Sequence, residues 1–112
     1  MAAVYVNQEE GLKRVMNNKK LYVRLLTKFK NETNLTELVH SIEEKDYEKA
    51  EASAHTLKGL SGNLSLTALY EKASALDAQL KNQTVDADAV ADITACFNET
   101  QKAIEEVLAA HG

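Results

Sequence analysis

Apolar residues along the chain recur at alternating steps of three and four, which places them on one face of an α-helix; the alternation of a half-buried strand is missing. Residues 8–16 carry Leu12, Val15 and Met16 and predict a short amphipathic helix, and residues 18–32 carry Tyr22, Leu25, Leu26 and Phe29 on one stripe of a second. Leu35, Leu38, Val39 and Ile42 predict a third over about 35–44, with Asn34 as N-cap and Glu37 three residues on in a capping-box relation. Asp46 is placed to cap a fourth helix over 46–62, whose buried stripe is Tyr47, Ala50, Ala54, Leu57 and Ser61, continued by Leu64. Gly62 and Asn63 are expected to end it, because both tolerate the left-handed conformation of a helix C-cap. Leu66, Leu69, Ala73, Leu76 and Leu80 predict a helix over 66–82 with Ser65 as its cap. Asp86 is placed to cap the last helix, over 87–110, which is expected to bury Val90, Ile93, Phe97, Ile104 and Val107 or Leu108. Short connections force consecutive helices to lie antiparallel. The expected fold is all-α: an up-and-down antiparallel four-helix bundle with one or two short extra N-terminal helices.

Length and composition narrow this further. A chain of 112 residues fits one domain, taken as 1–112, and its 45% apolar content can furnish one core. No apolar run approaches the ~20 residues that span a bilayer, so no membrane role is expected. Cys96 stands alone, which rules out an internal disulfide, fits a reducing cytoplasmic setting and reads as a small buried hydrophobe. Charge is uneven: residues 1–30 hold seven Lys/Arg against two Glu, and the remainder holds six basic against fifteen acidic residues, which sums to the net −4. Nucleic acid is a poor partner for such a chain. The basic first quarter reads as a solvated helix surface that can steer an acidic protein. No feature calls for an oligomer, and a monomer is expected.

The candidate chemistry sits on the 46–62 helix, on the side away from its core stripe. At 100° per residue His55 points about 130° from the mean direction of the buried positions, toward solvent. Ala52, Gly59 and Gly62 surround it at offsets −3, +4 and +7, and Lys58 stands one turn along. This runs against local preference, because an interior helical Gly costs about 1 kcal/mol relative to Ala and an exposed face normally carries Lys, Glu or Gln. The neighbours of the histidine are stripped to methyl or hydrogen, so a bulky group can approach its ring. A cation one turn away would attract an anion attached to that ring. Imidazole can carry a phosphoryl group reversibly, so this arrangement suits protein-to-protein phosphoryl transfer. From spacing alone, a chance surface histidine beside helix-packing glycines stands level with that reading.

The run Ala54-His55-Thr56-Leu57-Lys58-Gly59, followed by Gly62-Asn63-Leu64, resembles the signature around the phosphorylated histidine of histidine-containing phosphotransfer (HPt) domains. The resemblance extends over about the whole chain. It implies a phosphorelay intermediate whose His55 accepts a phosphoryl group from a receiver-domain aspartyl-phosphate and passes it to another receiver domain. Lys58 would stabilise the phosphoryl group, and Ala52, Leu60, Gly59 and Gly62 would form the docking face. Asp77 occupies the register of a polar residue that orients the imidazole. The chain would bring no cofactor or metal of its own, with magnesium on the receiver partner. Two positions depart from the family pattern: Leu60 stands where a small residue is commoner and is expected to enlarge an apolar docking patch, and Ser65 replaces a frequent turn glycine.

Three other functions are open to a helical bundle of this kind. An autonomous kinase lacks a glycine-rich nucleotide loop and room for a second catalytic domain. A di-metal carboxylate bundle needs two Glu-x-x-His pairs, and Glu37 with His40 supplies one. A non-catalytic docking module for a receiver or kinase partner is the alternative, although this chain retains both His55 and Lys58.

Overall fold

A computed structural model describes residues 4–111, the side chain of residue 111 excepted. Six helices follow in order: α1 (Gln8–Arg14), α2 (Lys19–Phe29), α3 (Asn34–Glu43), α4 (Tyr47–Asn63), α5 (Thr67–Lys81) and α6 (Ala87–His111). No strand occurs among the described residues. α3, α4, α5 and α6 pack in sequence, and α3 also touches α6, which closes a four-helix ring; α2 lies against α6 and α1 against α2. The expected bundle with two shorter N-terminal helices is therefore present. Its longest dimension is 41 Å, close to the ~37 Å of a 25-residue helix such as α6.

The core follows the predicted stripes. Tyr22, Leu26, Phe29, Leu35, Leu38, Ala50, Ala54, Leu57, Leu69, Ala73, Leu76 and Leu80 are all buried. On α6 Ile93, Ile104 and Val107 are buried and Leu108 is only half-buried, which resolves the choice left open by spacing. Val90 and Phe97 are also half-buried, while Cys96 and Thr100 lie inside. Thr100 is accommodated because its hydroxyl donates to the Cys96 carbonyl at 2.7 Å. α2 is fastened to α6 by Lys30–Glu105 at 3.0 Å, by Gln101 Nε2 donating to the Phe29 carbonyl, and by the Phe29 and Phe97 rings, 5.7 Å apart.

Helix ends depart from expectation in an instructive way. Asp46 caps α4 as expected, its side chain accepting from the Lys49 N–H, and Asp86 accepts from the Asp88 N–H at the start of α6. Asn34 is not the cap of α3. The carboxylate of Glu32 accepts from the backbone N–H groups of both Thr33 and Asn34, so the Asn34–Glu37 capping box does not form. Gly62 and Asn63 do not end α4 either. The helix runs through both, and Ser65 takes the left-handed conformation at φ 56°. The same device recurs at Met16, Lys45 and Gln83. In each case the next residue's N–H reaches the carbonyl five positions back: Asn17 to Leu12, Asp46 to Ser41, Leu66 to Ser61 and Thr84 to Gln79. That bond closes a Schellman motif and satisfies a carbonyl the helix end leaves open. Non-glycine residues are tolerated in these turns at a cost of roughly 1 kcal/mol each.

Candidate functional site

α4 presents two opposite faces. Ala50, Ala54, Leu57 and Ser61 are buried, whereas Ala52, His55 and Gly59 are exposed on the far side, as the spacing requires. The imidazole of His55 is exposed and makes no hydrogen bond or ion pair through either ring nitrogen with any described residue. A Cβ built at Gly59 meets nothing within 4 Å. Packing therefore does not demand glycine there, and its effect is to leave open space one turn from the imidazole. Lys58 is half-buried, and its ammonium group has no ion-pair partner among the described residues. Ala52, Lys58 and Gly59 thus leave the histidine accessible, with a cation one turn away.

His55 stands between two clefts. One, of about 450 Å³, is floored by Gly59 and Gly62, flanked by His55 and Lys58 at one end, and walled by Tyr70 of α5 and by Glu10 and Arg14 of α1. Gly62 is not bare docking surface. A Cβ there would lie 3.2 Å from the Tyr70 ring, so its missing side chain lets that ring lie over α4. The second cleft is lined by Glu48, Glu51, Ala52, His55 and Lys81. Leu60 lies in neither. It is half-buried in a groove with Leu25, Phe29 and Leu64 on the α2 side of α4, adjacent to the histidine face.

Asp77 is buried at 2% exposure, not solvated. Its Oδ2 stands 3.5 Å from Lys81 Nζ, and its Oδ1 is buried without a partner. No hydrogen bond joins it to His55 in this conformer. The Ser74 hydroxyl, one turn before it on α5, is also buried and unpartnered. Ser65 does not cap α5: that helix has Leu66 as N-cap with no side-chain bond, and the Ser65 hydroxyl donates instead to Glu10 at 3.0 Å. His40 is exposed and pairs with Glu44 at 3.0 Å, and no cluster of metal-ligating side chains occurs among the described residues. Cys96 is buried, and burial pushes its thiol pKa upward, away from thiolate reactivity. Among the described residues no helix is long and apolar enough to cross a membrane.

The Hpt domain family model matches residues 24–110, most of the chain and all of the histidine face. The chain belongs to the Hpt domain family. Members of this family are the phosphotransfer modules of phosphorelays and interact with receiver domains. The fold of this Hpt domain is similar to the crystal structure of the HPT domain from an Hpt sensor hybrid histidine kinase of Shewanella, with a TM-score of 0.83, 15% identity and 95% of each chain covered. No curated protein matches the chain in sequence.

In this Hpt domain the structure brings His55 together with Ala52 in one cleft and with Lys58, Gly59 and Gly62 in the other; Leu60 and Asp77 are set apart from both. Five further charged residues escaped the sequence reading: Glu48, Glu51 and Lys81 line one cleft, and Glu10 and Arg14 line the other. Lys81 was findable, because it sits four residues after Asp77 on one helix face. Arg14 and Glu10 were not, since nothing in their local spacing says that α1 folds against the turn between α4 and α5.

Proposed function

We propose that this chain is a phosphorelay intermediate: His55 takes a phosphoryl group from a receiver-domain aspartyl-phosphate and passes it to the aspartate of another receiver. The free, exposed imidazole facing open space over Gly59 carries this reading. One ring nitrogen attacks phosphorus with its lone pair, and the bond from phosphorus to the aspartyl oxygen breaks. The leaving carboxylate keeps that electron pair, and the other ring nitrogen keeps its proton. The reverse sequence unloads the group onto a second carboxylate. Lys58, unpaired among the described residues and one turn away, offers a charge to the phosphoryl oxygens. Magnesium belongs to the receiver, which places it at the aspartate. Asp77 is proposed to hold the ring proton after a side-chain rotation, and its buried, unpartnered Oδ1 supports that role.

Incubation with a panel of phosphorylated receiver domains tests the proposal. The expected product is a label on this chain that is labile in acid and stable in base, and its return to an unphosphorylated receiver. Binding of receivers with no label under any condition would favour a docking module and overturn the phosphotransfer reading.

A further inference from the structure

The cleft beside His55 has a second cationic post that the family signature does not contain. We infer that Arg14 receives a carboxylate on the surface of a receiver domain docked over His55, and so helps to determine which receiver this chain serves. The inference rests on the reading of His55 as phosphoacceptor.

Arg14 is held by a residue of its own helix that is itself anchored from outside that helix. Its Nε and Nη2 both donate to one oxygen of Glu10 at 3.4 Å. The same oxygen accepts from the Ser65 hydroxyl at 3.0 Å, across 55 residues of chain. Ser65 is buried and left-handed, at a position where glycine would remove the strain but also the hydroxyl. The turn that carries it is fixed from two more directions: the Asn7 N–H donates to the Ser65 carbonyl at 2.9 Å, and the Tyr22 hydroxyl donates to the Leu64 carbonyl at 3.0 Å. A guanidinium has five N–H donors. Two long bonds to a single oxygen leave the others available, and the side chain is half exposed.

Reach decides what Arg14 meets. Along α4, His55 and Gly62 are about 10 Å apart at 1.5 Å per residue, and the Ser65 tether lies beyond Gly62. A phosphoryl group on the imidazole therefore belongs to the Lys58 end of the cleft. Arg14 faces the body of the protein that delivers it. With Lys58 and Arg14 against Glu10 alone, the charged lining of this cleft favours an acidic visitor. A cation already held by a Glu10 that Ser65 tethers loses less freedom on binding than an untethered surface arginine.

The test uses the whole chain and the receiver domains encoded in the same genome, titrated calorimetrically, with the tightest binder taken forward. Arg14→Gln is expected to raise its Kd about tenfold, as the loss of one interfacial charge pair can. The receiver concentration giving half-maximal transfer rises in step, while the rate at saturation falls much less. Ser65→Gly, which relieves strain and cuts the tether, is expected to raise Kd about threefold while melting no lower than the parent. Arg14→Glu weakens binding further, and reversal of one receiver carboxylate to Lys rescues it. A Kd within twofold of the parent for Arg14→Gln would overturn the inference. Equal slowing of labelling by phosphoramidate would place Arg14 on the phosphoryl group and overturn it as well. If the parent binds a receiver but takes no label, the phosphoacceptor reading fails while the Kd comparison still decides Arg14. Absence of binding to every receiver overturns the docking inference outright.

Discussion

Replacement of Gly59 should move stability and function in opposite directions. The position lies in the interior of a 17-residue helix, where glycine is disfavoured, and a Cβ there would meet nothing within 4 Å. Gly59→Ala should therefore stabilise the domain by about 0.5–1 kcal/mol, the helix-propensity difference with no packing offset. For a chain of this length the corresponding rise in Tm is about 2–4 °C. Gly59→Gln should melt no lower than the parent. Its side chain, however, would project into the space above the cleft floor one turn from His55. A receiver domain must bring its aspartyl-phosphate in line with the imidazole through that space, so receiver-dependent transfer to Gly59→Gln should fall by at least about tenfold. Phosphoramidate needs less clearance and should still label the variant appreciably. Thermal melting read alongside single-turnover transfer decides the matter. Full receiver-dependent transfer in Gly59→Gln would refute the clearance argument, and a large drop in Tm would show that Gly59 is a packing residue.

Other perturbations address the remaining parts of the site. Lys58→Ala should slow transfer roughly ten- to a thousand-fold with stability shifted by less than about 0.5 kcal/mol, and an unchanged single-turnover rate would make Lys58 a surface charge. Asp77→Ala should reduce transfer only a few-fold with His55 still phosphorylatable, as expected for an orienting carboxylate. Unchanged transfer together with a raised Tm would show Asp77 to be only a buried carboxylate that costs stability. Tyr22, whose phenol is pushed up to about 12 by burial, gives the fold an alkaline limit. The unfolded phenol ionises near its ordinary value of about 10, so this contribution is fully present below that pH and is lost as the pH rises toward 12. Tyr22→Phe should remove that dependence and cost about 1 kcal/mol at neutral pH through the lost bond to the Leu64 carbonyl; matching alkaline melting curves for both proteins would refute the assignment.

Hydrophobic periodicity made most of the fold legible, because burial on each helix is a one-face problem: the stripes of α4 and α5 were read almost residue for residue. The exposed histidine face was legible for the same reason, as the complement of the buried stripe. What was missed depends on competition between neighbours or on contacts distant in sequence. Glu32 displaced Asn34 as the cap of α3 because a longer carboxylate two residues back reaches two N–H groups at once. The left-handed turns fell on Met16, Lys45, Ser65 and Gln83 instead of on glycine, because the Schellman bond compensates the strain. Gly62 looked like bare surface until Tyr70, eight residues on, was placed over it. Asp77 was assigned an orienting role by the family resemblance alone, and only the packing of α5 shows that its carboxylate is buried against Lys81.

The most direct test of the central claim is the site of the covalent label. After transfer from a phosphorylated receiver domain, mass spectrometry of the intact and fragmented chain should find one phosphoryl group, on His55, and none on His40 or His111. His55→Gln, a change at an exposed side chain without a partner among the described residues, should abolish the label and leave helicity and Tm nearly unchanged. Label persisting in His55→Gln, or residing on either other histidine, would contradict the account.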